Sequence, residues 1–279
     1  MKLSGKNFDF NFSVKTHVMG ILNVTPDSFS DGGHFFNKAH AVEQALRMQA
    51  DGADIIDIGG ESTRPGSQPV SIRDEIARTV PVIQSLAKIA NIPLSIDTCK
   101  SQVADAALRA GAALVNDISG LRFDNRMAKV IARHKAPVVI MHIKGTPQDM
   151  QNKPVYKALI PEIMDYLRES MSIAEQAGIS ADRIIIDPGI GFGKTVAHNL
   201  EIIRRLDEFA GFEKPLLLGP SRKSFIGKVL GDLPVRSRLE GTAAAVAAGI
   251  LKGAHIIRVH DVKEMVRVAR FTDAIKNGL

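Results

Sequence analysis

The 279-residue sequence predicts an α/β chain folded as a single (β/α)8 TIM barrel with a short N-terminal hairpin, and three observations support that expectation. Eight short apolar, β-branched runs recur along the chain, amphipathic stretches lie between them, and nearly every run ends on a polar residue followed by a Gly/Pro/Ser loop. The runs are Val18 to Leu22, Asp54 to Ile58, Pro93 to Ile96, Ala113 to Val115, Pro137 to Met141, Arg183 to Ile186, Pro215 to Leu218 and His255 to Val259. Their apolar content is continuous where a one-sided strand would alternate, as expected of parallel strands covered on both faces.

Helical periodicity marks Ala39 to Asp51, Ile72 to Ala90, Ser101 to Ala110, Ile160 to Ala177, His198 to Ala210 and Val262 to Ile275. Ser71 and Asp74 form a Ser-x-x-Asp capping pattern, and Gly111, Gly178 and Gly211 follow helical runs as C′ glycines do. Phe8, Phe10 and Phe12 alternate ahead of the first run, which places a hairpin there that plugs the bottom of the barrel. An open doubly wound sheet shares the strand–helix alternation but needs neither eight units nor polar residues at nearly every strand end. Without a linker, low-complexity tract or repeat, residues 1–279 are expected to form one domain.

Composition narrows the function. Hydrophobic residues make up 45% and charged residues 24%, the balance of a globular protein rather than a disordered or collagenous one. The formal charge is +6, but aromatics are 5%, Trp is absent and there is no Lys/Arg run, so no nucleic-acid partner is expected. A small polyanionic ligand or a solvated basic surface explains the charge. The lone Cys99 cannot form an intramolecular disulfide and fits a reducing cytosol. Thr242 to Leu251 is too short and alanine-rich to span a bilayer, and no signal-peptide run precedes the first strand. A cytoplasmic protein without membrane contact is the expectation.

In such a barrel the loops after the strand C-termini build the site. The run ends are Asn23, Asp57 with Glu61, Asp97, Asn116 with Asp117, His142, Asp187, the Ser221-Arg-Lys-Ser224 segment, and Arg258 with His260. A strand-end Asp or Asn can simply cap a helix or close a turn, and Asp57 and Asp117 are read that way. The whole set exceeds what capping needs. Carboxylates and an amide (Asp97, Asn116, Asp187) beside cations (Lys223, Arg258) suit a planar heterocycle with amino and carbonyl edges, on which Arg can also stack. Asn23, Arg258 and His260 would supply anion contacts. Scattered Asn/Asp oxygens, with no His-x-x-x-His or Cys cluster, fit Mg²⁺ held mainly by ligand phosphates.

Pro188 to Thr195 is a near miss for a P-loop, with Pro188 where Gly is required, and for the dinucleotide fingerprint, with Lys194 in its last Gly position. It is read instead as a glycine-rich turn presenting Phe192 and letting backbone approach a ligand. Loops Asn23 to Gly33 and Gly59 to Gly66 have the composition of lids, and Gly219 to Gly227 opens a helix whose N-terminus favours an anion near Ser224.

Taken together, Gly20-Ile-Leu-Asn-Val-Thr-Pro-Asp-Ser-Phe-Ser-Asp-Gly-Gly33, Asp57-Ile-Gly-Gly-Glu-Ser-Thr-Arg-Pro-Gly66, Ser95-Ile-Asp-Thr98, Asn116-Asp-Ile-Ser-Gly120, Met141-His142 with Gly145-Thr-Pro147, Asp187-Pro-Gly-Ile-Gly-Phe-Gly-Lys194, Ser221-Arg-Lys-Ser-Phe-Ile-Gly227 and Arg258-Val-His-Asp261 closely resemble dihydropteroate synthase. The resemblance runs from the first strand to the last helix. It implies condensation of 6-hydroxymethyl-7,8-dihydropterin diphosphate with p-aminobenzoate, giving 7,8-dihydropteroate and diphosphate in folate synthesis, in a homodimer that sulfonamides target. By the same resemblance Asp97, Asn116, Met141, Asp187, Lys223 and Arg258 hold the pterin. Asn23, Arg258 and His260 bind the diphosphate with Mg²⁺, Asn23 serving the metal. Phe29, Thr63, Arg64, Pro65, Phe192, Lys223 and Ser224 form the p-aminobenzoate site. Asp97, Asp187, Lys223 and Arg258 are the catalytic candidates, with Asp31 stabilising a cation, taking a proton or serving only as a turn residue.

Two departures stand out: Ile143-Lys144 where the family commonly has Met-Gln, and Cys99 at a variable position. Neither is expected to touch a residue assigned to chemistry, and Lys144 is expected to add to the basic rim. The rival readings are a pterin-binding methyltransferase barrel and a catalytically silent pterin-binding paralogue. The Ser-Arg-Lys-Ser-Phe-Ile-Gly and Ser-Thr-Arg-Pro-Gly loops speak for the synthase.

Overall fold

A computed structural model describes residues 1–25 and 34–278. The chain opens with β1 (Lys2–Gly5) and β2 (Phe8–Asn11), an antiparallel hairpin. There follow β3 (His17–Asn23), α1 (His34–Ala50), β4 (Ile55–Gly59), α2 (Ile72–Leu86), β5 (Leu94–Asp97), α3 (Ser101–Ala110), β6 (Leu114–Asp117), α4 (Met127–His134) and β7 (Val138–Met141). Then come α5 (Leu159–Gln176), β8 (Ile184–Asp187), α6 (Val196–Arg204), β9 (Leu217–Leu218), α7 (Ser224–Val229), α8 (Leu239–Leu251), β10 (Ile256–Val259) and α9 (Val262–Asn277).

Strands β3 to β10 form an eight-stranded parallel sheet in the order β8-β7-β6-β5-β4-β3-β10-β9, and the two ends meet through a parallel bridge between Ile186 and Leu216. This is the expected barrel. All eight strands begin and end within about two residues of the apolar runs, because a continuous apolar run has no polar face to place in water.

The alternation of side chains along each strand sorts the core into two layers. One parity faces the helices: Val18, Ile56, Ile96, Val115, Val138, Ile186, Leu218 and Val259 pack with the apolar faces of the helices. The other parity fills the barrel, where Met19, Ile55, Leu114, Val139, Ile185, Leu217 and Ile256 form a separate cluster with Leu3, Phe10 and Phe12 of the hairpin region. The hairpin therefore plugs the N-terminal mouth, and Phe10 and Phe12 sit 4.2 and 5.2 Å from the His17 ring. Thr16 ties this end to α9 by donating through its amide and its hydroxyl to the two oxygens of Asp273, both at 2.8 Å.

Helix ends follow the local signals in part. Ser71 is the N-cap of α2 and accepts from the Asp74 amide, and Gly111 ends α3 at φ 122°. Gly211 is not a C′ glycine: it lies inside a 3-10 turn from Leu206 to Phe212, and Glu213, at φ 53°, takes the left-handed position instead. The helical pattern from His198 to Ala210 breaks at Arg205 for the same reason. Helix α4 went unpredicted because eight residues carry barely two turns of periodicity. Helix α8 is Ala-rich and apolar on most faces, so it shows no stripe; Gly249 lets it approach Leu218, whose Cδ2 would lie 2.3 Å from a Cβ there.

Because the plug fills the end of the barrel opposite the loops, Phe10→Ala is expected to lower the unfolding free energy by about 3 kcal/mol in urea titrations. Turnover per folded molecule is expected to stay unchanged.

Candidate active site

The inward parity that is apolar at the bottom of the barrel becomes polar two residues later. Ile55 is followed by Asp57, Leu114 by Asn116, Ile185 by Asp187 and Ile256 by Arg258, so a period of two carries each of these side chains to the upper layer. Strand register then aligns them: Asn23 pairs with Gly59, Gly59 with Asp97, Asp97 with Asn116, and Met141 with Asp187. Lys223 and Ser224 follow β9 at the start of α7, and His260 follows β10. The site residues expected from sequence thus lie at one end of the barrel. Phe29 and Asp31 lie outside the described residues.

Asp57 organises the group. It is fully buried, and its Oδ2 accepts from Arg258 Nε at 2.6 Å and from Asn116 Nδ2 at 2.9 Å. Arg258 Nη2 reaches the neighbouring strand and donates to Asp97 Oδ2, also at 2.6 Å. The turn reading of Asp57 is therefore wrong, because its carboxylate points into the barrel rather than back to its own backbone. That of Asp117 holds: it accepts from Ser119 N and Oγ and from Leu121 N. Since Asn116 gives one N–H to Asp57, its carbonyl oxygen and its second N–H are left for a ligand.

Burial sets the charges. It pushes the Asp97 carboxyl above the usual carboxylate range, with Arg258 pulling against it. Burial likewise raises Asp187 against the opposing pull of Lys223, and Asp187 Oδ1 accepts from Gly189 N at 2.7 Å. Burial disfavours the Arg258 charge, but Asp57 and Asp97 outweigh it and hold its pKa above the ordinary value. Burial brings Lys223 down to about 8, against the pull of Asp187.

His260 is pushed down to about 3 by burial and then by Arg258 and Arg222, so it is neutral at physiological pH. Its amide donates to Ser221 Oγ at 3.1 Å, and its Nδ1 lies 3.0 Å from the same oxygen. Ser221 thus holds the imidazole by its backbone and its ring together. Being neutral, His260 brings an anion no charge of its own. Ser221 is the orienting residue that sequence reading missed.

Beside the polar group stands an apolar wall of Ile118, Met141, Ile143, Met150 and Phe192, against which Cys99 and Tyr166 pack. Lys223 Nζ lies 4.5 Å from the centre of the Phe192 ring and donates to the Ile190 carbonyl. Both departures from the family pattern reach this wall: Ile143 belongs to the cluster that holds Met141 and Phe192, and Cys99 packs against that cluster. Lys144 does not extend the basic rim. Its ammonium donates to Val155 O and Glu162 and sits 4.1 Å from the Tyr156 ring.

The glycine-rich turn serves the protein itself. A Cβ on Gly189, at φ +72°, would fall 1.9 Å from His142 O, and one on Gly191, at φ +83°, 2.9 Å from Lys223 Cδ. Those glycines therefore let the backbone approach His142 and the Lys223 stem. Lys194, the residue that mimics a P-loop lysine, is buried and braces the turn by donating to Phe192 O at 2.9 Å and contacting His142 Nδ1 at 2.8 Å. Burial holds its pKa well below the ordinary lysine value.

Thr63, Arg64 and Pro65 follow β4 on a loop whose Gly66 amide donates to Pro147 O at 3.0 Å. A cavity of about 840 Å³ opens between this loop and the loops after β5, β6 and β7. It reaches the polar group at Asp97, and Thr63, Cys99 and Ile118 line it. Ser224 is exposed at the first turn of α7, with Lys223 as the N-cap. No group of three or more His, Cys, Asp or Glu able to hold a metal ion occurs among the described residues. No helix among them is long and apolar enough to cross a membrane.

The barrel, with an inward ring of amide, carboxylates and cations beside an apolar wall, is of the kind that binds a flat, polar-edged ring. Consistent with that class, a profile of the pterin binding enzyme family matches residues 19–260. A curated dihydropteroate synthase of Synechocystis is 48% identical over 266 residues, covering 95% of this chain and 92% of the relative. A solved dihydropteroate synthase of Clostridium difficile, in the presence of pteroic acid, superposes with a TM-score of 0.90 at 48% identity, covering 95% of this chain and 98% of that one. That of Yersinia pestis with a sulfonamide drug superposes with a TM-score of 0.94 at 42% identity over the whole of both chains. The chain belongs to the pterin-binding enzymes and, among them, to the dihydropteroate synthase family.

If Lys194 braces the turn, Lys194→Met strips a donor from Phe192 O and His142 Nδ1 and is expected to lower the unfolding free energy by about 1–3 kcal/mol. Equilibrium denaturation measures the loss.

Proposed function

We propose that this protein condenses 6-hydroxymethyl-7,8-dihydropterin diphosphate with p-aminobenzoate, releasing diphosphate and forming 7,8-dihydropteroate for folate synthesis. The observation that carries the reading is the pairing of a hydrogen-bonding ring with an apolar wall at one barrel mouth. Asn116, oriented by Asp57, offers a carbonyl; Asp97 and Asp187 offer carboxylates; Lys223 offers an ammonium. A 2-amino-4-oxo pterin edge presents the complementary donors and acceptor, and a carboxylate accepts two parallel N–H bonds from it. Met141 and Phe192 supply the wall against the ring faces, and Arg258, held in plane by Asp57 and Asp97, supplies a guanidinium surface to stack on.

Arg258 and His260 meet the departing diphosphate. The bond between the exocyclic methylene and the diphosphate oxygen breaks, and the nearby carboxylates steady the positive charge left on the methylene and ring. The aniline nitrogen of p-aminobenzoate forms the new C–N bond and then loses one proton. No nucleophile on the enzyme is needed. Thr63, Arg64, Pro65, Phe192, Lys223 and Ser224 orient the p-aminobenzoate, Lys223 and Arg64 facing its carboxylate.

Mg²⁺ is the proposed metal, with Asn23 as its protein ligand. Gly59 has no Cβ to fill the space between Asn23 Oδ1, 3.8 Å from that position, and Asp97 Cβ, 3.6 Å from it, so an oxygen-seeking cation with phosphate ligands fits beside Asn23. When bound, Mg²⁺ neutralises the leaving diphosphate. We further propose a homodimer in the cytoplasm. Leu251 at the end of α8 and Phe271 and Ile275 on α9 are 51, 71 and 62% exposed, and those two helices pack together, which supports an apolar face for a second copy.

Diphosphate release in a coupled assay with Mg²⁺ tests the reading. It is expected to require p-aminobenzoate and to fall by about 100-fold or more in Lys223→Ala. Lys223 is cationic below about 8 and neutral above, so kcat/KM for p-aminobenzoate is expected to decline as pH rises through about 8. That limb should vanish in Lys223→Ala. No release despite pterin binding would overturn the assignment.

A further inference from the structure

The loop carrying Thr63, Arg64 and Pro65 is fastened at both of its ends by a lysine from the turn between β5 and α3. Lys100 follows Asp97, Thr98 and Cys99 at the end of β5, and its ammonium has three acceptors. One is Glu61, at the start of the loop; the second is the carbonyl of Val70, at its end, at 2.8 Å. The third is Glu75 on the first turn of α2, at 2.6 Å. An ammonium has three N–H donors, and here one acceptor is available for each. Glu75 is 1% exposed and also bonds the Thr98 side chain, so the anchor point is buried and fixed to β5. Around the rest of the loop the fastenings are lighter: Ser67 binds Ser62 O and Arg64 O within the loop, and Gly66 donates outward to Pro147 O. The same residues Glu61, Thr63, Glu75, Asp97 and Lys100 form one wall of the cavity beside the site.

We propose that Lys100 is a positioning residue that clamps the Thr63–Pro65 loop to the strand bearing Asp97, so that p-aminobenzoate meets a loop already held in its binding geometry. The proposal rests on the assignment of Thr63, Arg64 and Pro65 to the p-aminobenzoate site. Its physical basis is that a loop tied at both ends loses less conformational freedom when it closes on a ligand. Lys100 makes no hydrogen bond to the pterin group or the diphosphate group. Its removal therefore weakens one substrate and spares the other.

Steady-state kinetics with each substrate varied decide the matter, using Glu61→Gln, Lys100→Met, Lys100→Arg and Arg64→Ala in the full chain. Glu61→Gln strips the charge from the loop arm and keeps the Lys100–Glu75 pair, so it tests the clamp even if Lys100→Met fails to fold. Glu61→Gln is expected to raise KM for p-aminobenzoate about fivefold to tenfold, the loss of one charge-assisted bond, with KM for the dihydropterin diphosphate within about twofold of wild type. Lys100→Met should do the same or more, and Lys100→Arg should recover part of the loss. An unchanged p-aminobenzoate KM in Glu61→Gln, with a raised one in Arg64→Ala, overturns the clamp and leaves the loop assignment standing. An unchanged value in Arg64→Ala overturns the loop assignment and the clamp with it. A parallel rise in both KM values in Glu61→Gln marks general damage and overturns the clamp too.

Discussion

One carboxylate oxygen inside the barrel, Oδ2 of Asp57, receives hydrogen bonds from Arg258 on β10 and Asn116 on β6, residues far apart in sequence. Because Asp57 is wholly buried, its charge is tolerable only with such partners, and a partner that left would strand a carboxylate in low dielectric. Each bond therefore constrains both ends. Arg258 is held flat across two strands, and Asn116 is held with its carbonyl outward. Asp97 joins through the second arm of Arg258, which couples the carboxylate next to the cavity to the same centre. The polar group is thus held by the protein's own hydrogen bonds, as catalysis by fixed dipoles requires.

The two layers of the barrel divide the labour. The lower layer, apolar and closed by Phe10 and Phe12, supplies burial without directing any chemistry. The upper layer places buried polar groups on top of that packed floor, where they lack water and hold each other. The shifts follow from that placement: carboxyls move up, Lys223 moves down, and His260 becomes a neutral donor. Burial comes first in every case, ahead of any neighbouring charge or hydrogen bond.

Lysines in this molecule act in three distinct ways at one barrel mouth. Lys223 faces the site, Lys194 is buried as a brace under Phe192, and Lys100 ties a loop to a strand. Type and position in a loop do not separate these roles. What separates them is the number of protein acceptors within reach: Lys100 has three, and Lys223 has one carbonyl and an aromatic face.

The sequence by itself determined the barrel, the hairpin plug and the strand ends that would carry chemistry, since apolar runs and their polar terminations are local and the period of two is read along the chain. Its motifs also determined the family. Tertiary structure alone decided that Asp57 is an anchor and not a turn residue, that Ser221 holds the His260 ring, and that the glycines of the Gly189 to Gly193 turn make room for His142, Lys144 and Lys223. It also brought Ile143 and Cys99 onto the wall beside Met141 and Phe192. The physical reason is common to all of these: each depends on which group from a distant strand arrives within about 3 Å in a water-poor interior, and closure of the barrel, not any local pattern, sets that distance.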